Sequence, residues 1–139
     1  VSMSHLQPLR SFKRDKSLNS EPIKDLADLL RSDKILGEPT RLLIMILLYL
    51  NMRMKFTELQ RILGLTPGNL SSHLRKLKEA GYVKVRKTFI LELRTTTIIE
   101  ITREGVEKLL KFTKSLRAIL RFLYSKSNST SIHNVAEIP

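Results

Sequence analysis

Residues 42–50 constrain the fold most, because all nine of them are apolar. A membrane-spanning helix needs about 20 apolar residues in succession, so this segment is too short to cross a bilayer. A helix that is apolar on every side has to be covered by protein on every side. The sequence therefore predicts a central core helix over 39–51.

The N-terminus has no uninterrupted apolar stretch of the signal-peptide kind, which favours a cytoplasmic protein without membrane contact.

The charge of the chain indicates its class of partner. Its 139 residues suffice for one domain, and 25 Lys and Arg against 13 Asp and Glu give a net charge of +12. A surface of this kind attracts polyanions, above all nucleic acid. There is no cysteine, and the three histidines are far apart. We therefore expect no disulfide, no cysteine nucleophile, no metal site and no cofactor.

Two short helices are predicted on either side of a tight turn. Thr57 and Gln60 have the spacing of a capping box and predict the start of the first helix. Gly64 suits the left-handed position that ends it. Thr66, followed by a proline, is a typical N-cap for the second helix, expected over 66–80. The short connection makes the pair a helix-turn-helix.

The second helix has an apolar side and a polar side. Leu70, Leu74 and Leu77 are spaced for burial. On the rest of the helix, small polar residues would allow close approach to base edges in a major groove, and Arg75 can bind a guanine in bidentate fashion. His73 lies at the edge of this face, where a structural role and a phosphate contact are equally open. The residues predicted to contact DNA from this helix are Thr66, Gly68, Asn69, Ser71, Ser72, His73, Arg75 and Lys76.

After Gly81 the apolar period changes from helical to alternating, which predicts a β-strand. A second run over 94–101 is rich in Thr and Ile, as strands often are. The two strands are expected to pair as a hairpin over 83–101 with its tip near residues 91–93. Its basic residues, predicted to lie along DNA phosphates, are Lys84, Arg86, Lys87 and Arg94.

A long helix, capped by Thr102, is predicted over 103–124. Apolar positions along it repeat at spacings of three and four, as in a coiled-coil seam. A core this small does not cover such a helix on two faces, so we expect burial against a second copy in a homodimer. The residues predicted for the dimer interface are Val106, Leu109, Leu110, Thr113, Leu116, Leu120 and Leu123.

The remaining segments complete the domain plan. A first helix is predicted over 20–33, where a serine precedes Glu21 and Pro22. Residues 1–19 are expected to form a flexible basic arm, residues 20–125 the folded domain, and residues 126–139 a loose tail rich in Ser and Asn. The predicted fold class is mainly α with a small β-hairpin.

An ordered series of motifs resembles one family. The motifs are ILGEPTR at 35–41, FTEL at 56–59, LTPGNLSSHL at 65–74, LKEAGYV at 77–83, RT at 94–95 and ITREG at 101–105. Over residues 35–123 the chain resembles the small archaeal winged helix-turn-helix regulators of the ArsR/MarR superfamily. The resemblance implies a dimeric repressor or activator of transcription whose recognition helix, 66–80, lies in the major groove of double-stranded DNA, with the wing, 83–101, on the backbone.

Other family properties carry over in part. Metal sensing in the arsenic-repressor branch uses cysteines, which this chain lacks. The multiple-antibiotic-resistance branch implies a small-molecule effector, which no residue here identifies. The wing tip departs from the usual basic pattern, because residues 89–93 are Phe, Ile, Leu, Glu and Leu. Longer strands, an apolar contact with a partner, and a weaker minor-groove contact are all compatible with that tip.

Three rival functions remain. The fold could serve as a protein-interaction module, which the apolar wing tip favours, or as a non-specific, chromatin-like DNA-binding protein. An enzyme using Glu58, Ser72 and His73 is the weakest alternative. Ser72 and His73 are neighbours on one helix, so their side chains point about 100° apart.

Overall fold

The computed structural model describes residues 20–91 and 94–129. The predicted arm and the last part of the predicted tail, residues 130–139, lie outside this range. Within it the chain forms five helices and three strands. In chain order they are α1 (Glu21–Ser32), α2 (Pro39–Asn51), β1 (Arg53–Lys55), α3 (Phe56–Leu63), α4 (Pro67–Glu79), β2 (Val83–Leu91), β3 (Arg94–Ile101) and α5 (Arg103–Ser129).

The strands form one antiparallel sheet in the order β1-β3-β2. The predicted hairpin is present, with Val83 opposite Ile101 and Phe89 opposite Thr95. Strand β1 was not predicted, because three residues with only Met54 buried are too short for a recognisable alternation. It forms because Met52, at φ 66°, turns the chain back from α2 so that β1 can pair with β3.

The core lies between α2, the inner faces of α3 and α4, the sheet and the first half of α5. Its fully buried residues are Leu36, Ile44, Met45, Leu48, Leu59, Leu70, Leu77, Ile99 and Leu109. The prediction that α2 is covered all round is wrong for the single chain, because Leu43 is 50% and Leu50 70% exposed. The elements that pack most closely on α2 are α4, α5, β1 and β3, and they leave its Leu43–Leu50 side exposed.

The helix ends test the predicted caps. Helix α3 starts one residue before Thr57, with Lys55 as N-cap, so the predicted capping box of Thr57 and Gln60 is wrong. The Lys55 backbone N–H instead donates to Glu58 Oε1 at 3.3 Å, and a carboxylate is favourable at a helix N-terminus. The turn after α3 is as predicted: Gly64 is left-handed at φ 63°.

Helix α5 begins as predicted but ends later. Thr102 Oγ1 accepts the Gly105 N–H at 3.0 Å, as expected for a cap. The helix continues to Ser129, so the first residues of the predicted tail are helical. Serine is no obstacle there, because the Ser125 and Ser127 hydroxyls donate to carbonyl oxygens of the preceding turn. No helix in the described ranges is both long and apolar enough to span a membrane.

The apolar side of α5 divides differently from the predicted seam. Leu109 of that seam is buried, but Phe112 and Ile119, which flank it, are buried as well, and α1 packs along this side. Leu120 and Leu123 are 44% and 49% exposed. Leu120 and Leu123 continue the line of the buried Leu109 along α5, so the structure covers the first half of the predicted seam and leaves its C-terminal half exposed.

A polar contact joins the start of the hairpin to the end of α1. The Tyr82 hydroxyl donates to Asp33 Oδ2 at 3.1 Å, while Asp33 Oδ1 accepts the backbone N–H groups of Ile35 and Leu36 at 2.9 Å each. Burial, with the negative charges of Asp33 and Glu104, raises the pKa of Tyr82 to about 12. The fold therefore prefers the neutral phenol.

Gly105 tests the packing of α5 on the sheet. A Cβ at this position would collide with the Tyr82 carbonyl oxygen and lie 3.0 Å from Met45 Cε. We expect Gly105→Ala to lower the free energy of unfolding by about 2 kcal/mol, measured by urea denaturation. Gly68→Ala is the matched control, since a Cβ there meets nothing within 4 Å, and it should stabilise the protein by about 0.5 kcal/mol. Equal effects of the two variants would contradict the close approach.

Tyr82 makes stability depend on alkaline pH. Between the ordinary pKa of 10.0 and the raised value of about 12, the folded chain keeps a proton that the unfolded chain has lost. This contribution to stability is complete below pH 10 and is lost as the pH rises through 12, by roughly 3 kcal/mol in all. Tyr82→Phe should cost about 1 kcal/mol at neutral pH and remove that decline. Urea denaturation from pH 9 to 12 would show the difference, and parallel curves for the two proteins would contradict it.

Candidate nucleic-acid interface

Helix α4 presents one polar side to solvent because its other side is fixed in the core. Leu70, Leu74 and Leu77 are buried, as predicted. The side chains predicted for DNA that are exposed on this helix are those of Asn69, Ser71, Arg75 and Lys76, together with the Gly68 backbone, while Ser72 is half-buried. Thr66 is exposed, and its hydroxyl accepts the Asn69 N–H at 3.2 Å, as predicted for the N-cap.

One basic residue of α4 escaped the sequence prediction. Lys78 is exposed, and together with Ser71 and Arg75 it lines a cleft of about 520 Å³ between α4 and the hairpin. The three residues are spaced by four and three, so they lie in one row along the helix. The spacing of four and three residues was the sequence signal that could have identified Lys78. It places the positive charges of Arg75 and Lys78 on the line that begins at the small hydroxyl residue Ser71.

His73 turns toward the start of α2, unlike the exposed polar residues of α4. Its Nδ1 lies 3.4 Å from Arg41 Nη1 and 3.7 Å from Glu38 Oε2. Arg41 is only 7% exposed, and its guanidinium also donates to the carbonyl oxygens of Ile35, at 2.8 Å, and Lys34, at 3.1 Å. Of the two roles left open for His73, the geometry favours the structural one. Because its imidazole contacts Arg41 and Glu38, His73 does not fit the hypothetical catalytic set with Ser72 and Glu58.

Glu38 supplies a fixed negative charge beside this histidine. Its Oε2 accepts the Arg41 backbone N–H at 2.8 Å and so caps α2. Burial by itself would raise the pKa of Glu38, but the backbone N–H groups of Arg41 and Thr40, with the positive charges nearby, hold it below its ordinary value. The carboxylate therefore stays ionised at neutral pH and balances the buried guanidinium.

The hairpin distributes its basic residues over two faces. Val83 and Val85 point inward, so Lys84 and Arg86 lie on the opposite face, because side chains alternate along a strand. Arg86 is paired there with Glu100 at 3.2 Å. Lys87 shares the Val85 side instead. Lys84, Lys87 and Arg94 are exposed, but the four predicted phosphate contacts do not form one row.

The arrangement can bind a grooved polyanion. A polar helix face projects beside an exposed, partly basic hairpin, and both are held by a packed core. In the described part of the chain, no three His, Cys, Asp or Glu side chains are grouped so that they could hold a metal ion.

Comparison with known proteins agrees with this geometry. The family model of the winged helix DNA-binding domain matches residues 40–120. An uncharacterised protein of Methanocaldococcus jannaschii is 42% identical over 72 residues, which are 52% of this chain and 77% of that protein.

Solved structures show the same fold. A transcriptional regulator homologue from Pyrococcus horikoshii, an archaeon, is 41% identical, with a TM-score of 0.66 over 72% of this chain and 97% of its own. A mutant of MarR from E. coli shares only 14% of its residues but superposes with a TM-score of 0.58 over 83% of each chain, which shows the fold alone. The predicted resemblance to winged-helix regulators is thus confirmed, and the chain belongs to the winged helix DNA-binding domain family.

Proposed function

We propose that the protein is a dimeric transcriptional regulator that binds specific sites in double-stranded DNA. The observation that carries the proposal is the row of Ser71, Arg75 and Lys78 on the exposed side of a helix whose other side is fixed in the core. In this proposal α4 lies in the major groove and the hairpin is a wing along the backbone. We expect such a regulator in the cytoplasm, where prokaryotic DNA lies.

The residues of α4 divide by what they would contact. Asn69 and Ser71, in the first turns after the Thr66 cap, are short enough to bring the helix backbone close to base edges. Arg75 follows one turn later and suits the two acceptors of a guanine. Lys78, at the far end of the row, would contact a phosphate, as would Lys84, Lys87 and Arg94 on the hairpin.

Uncovered apolar side chains support the dimer. Leu120 and Leu123 on α5 lie beside Tyr124 near the C-terminal end of the helix, and all three are exposed in the single chain. Large exposed apolar patches on soluble proteins commonly mark an interface. We propose that this end of α5 packs against its symmetry mate, which would also set the spacing between two copies of α4.

A non-specific DNA-binding protein is the second candidate, because Lys84, Lys87 and Arg94 are exposed on the wing and would favour every duplex equally. Selection of bound sites from a random DNA pool separates the two functions. A specific regulator should enrich one sequence with a fixed half-site spacing, whereas the alternative should enrich none.

Arg75 and Lys87 separate base recognition from backbone binding. Arg75→Ala should weaken binding to the selected site by about 1–3 kcal/mol per protomer and relax the preference at one base position. Binding to random duplex should hardly change. Lys87→Ala, the control, should weaken both duplexes and reduce the salt slope by about 1 per protomer. The proposed roles fail if Arg75→Ala weakens specific and random binding equally.

The proposed dimer interface is tested by charge. Leu120→Glu combined with Leu123→Glu would place four carboxylates in the symmetric interface, and we expect monomers in sedimentation at micromolar concentration. Ile62→Glu is the control, since Ile62 is similarly exposed on α3, away from α5. A double variant that still sediments as a dimer would show that the interface lies elsewhere.

A further inference from the structure

Phe89 is an aromatic side chain that the fold leaves in water. It is 79% exposed, near the end of β2, and pairs across the hairpin with the small, exposed Thr95. Nothing in the described part of the chain covers it. A hydrated aromatic ring at the end of a projecting hairpin would gain free energy by burial against a partner.

The strand alternation decides which way this ring faces. Val83 and Val85 point inward, and the regular pairing of β2 with β3 continues to Phe89 before the register shifts. Phe89 therefore lies on the same face of the hairpin as Val85. Val85 and Thr97 line the cleft against Ser71 and Arg75 of α4. The ring is thus on the side of the wing that is turned toward the proposed recognition helix.

The distance along the strand decides how far the ring reaches. Thr97, which lines the cleft, pairs with Lys87, and Phe89 follows Lys87 by two residues, so the ring lies about 7 Å of strand beyond the cleft. The major groove of B-DNA is about 12 Å wide. With α4 in that groove, a tip that extends this far can cross the flanking phosphates and meet the adjacent minor groove.

The charges around the ring favour DNA as its partner. Lys87 lies on the same face, two residues before Phe89, and Arg94 is exposed on the returning strand. Both can hold phosphates on either side of a groove while an apolar group enters it. A purely apolar partner would leave these two charges without compensation.

We propose that Phe89 is a wedge that enters the minor groove beside the major-groove site and opens one base step. The proposal rests on the proposed function and deepens it. Apolar side chains inserted in this way unstack a step and bend the duplex. Pyrimidine–purine steps deform most easily, so Phe89 would add a preference for such a step at a position that α4 does not touch.

The experiment uses the full chain and the duplex that the wild type selects from a random pool. 2-Aminopurine is placed in turn at each step flanking the α4 site, and its fluorescence reports unstacking. Gel phasing on the same duplex reports bending. The variants are Phe89→Ala and Phe89→Leu, and Thr88→Ala is the control, because Thr88 is exposed on the opposite face of the hairpin.

We expect the wild type to raise the fluorescence several-fold at one step in each half-site, with a bend at the same place. Phe89→Ala should abolish both signals, and its affinity for the selected site should fall about tenfold while the salt slope is unchanged, since no charge is lost. Phe89→Leu should keep part of each signal, and Thr88→Ala should resemble the wild type. A second selection with Phe89→Ala should lose the pyrimidine–purine preference and keep the rest of the site.

Several outcomes would overturn the wedge. If the wild type binds its site but Phe89→Ala shows the same fluorescence and bend, the ring does not enter DNA, while the proposed function stands. If Phe89→Ala instead changes the sedimentation of the free protein, the ring contacts a second copy of the chain. If the wild type binds no duplex at all, the proposed function and the wedge both fail.

Discussion

The position of the candidate interface depends on the contacts that the Arg41 guanidinium makes. It is buried, donates to the carbonyl oxygens of Lys34 and Ile35, and lies against His73 of α4. A buried guanidinium is tolerated only when its donors have partners and its charge is balanced. Glu38 supplies the nearby negative charge. The guanidinium therefore joins the loop before α2, whose carbonyl oxygens accept its N–H groups, to helix α4, whose His73 Nδ1 lies 3.4 Å from it.

The same loop holds the second part of the interface. Asp33, at the end of α1, accepts the Tyr82 hydroxyl at the start of the hairpin. Both α4 and the wing are thus tied to the short segment that connects α1 to α2. The polar and basic side chains of the contact surface do not have to hold one another in place. Hydrogen bonds beneath the surface and the buried leucines of α4 fix its geometry.

Helix length explains why apolar surface remains. Helix α5 has 27 residues and is therefore about 40 Å long, more than the core of a small domain can cover. Helix α1 packs along it, and its C-terminal end carries leucines into solvent. The hairpin has the corresponding property towards its tip, where the strands continue beyond the core and the Phe89 ring is 79% exposed. At both of these places an element extends beyond the core, and a partner would be bound there.

Much of the architecture follows from local sequence signals. Pro39, Gly64, Thr66 and Thr102 mark helix ends through effects of one or two residues, so their roles could be predicted without knowing the fold. The alternation after Gly81 predicted the hairpin in the same way. The exposed row of α4 follows from the spacing of its three leucines, although Lys78 was overlooked in it.

Tertiary contacts decided the rest. Strand β1 is too short to have a pattern of its own and exists because β3 offers an edge to pair with. The turn of His73 toward the start of α2 depends on Arg41, which is 32 residues away in sequence. The pairing of Arg86 with Glu100 and the exposure of Leu120 and Leu123 near the end of α5 likewise depend on which element lies alongside. The sequence by itself determined the order of the five helices and the hairpin and which of their sides are apolar, because these are local properties of the chain. Only the tertiary structure decided which polar groups face inward and which apolar sides stay uncovered, because both depend on neighbours that are distant in sequence.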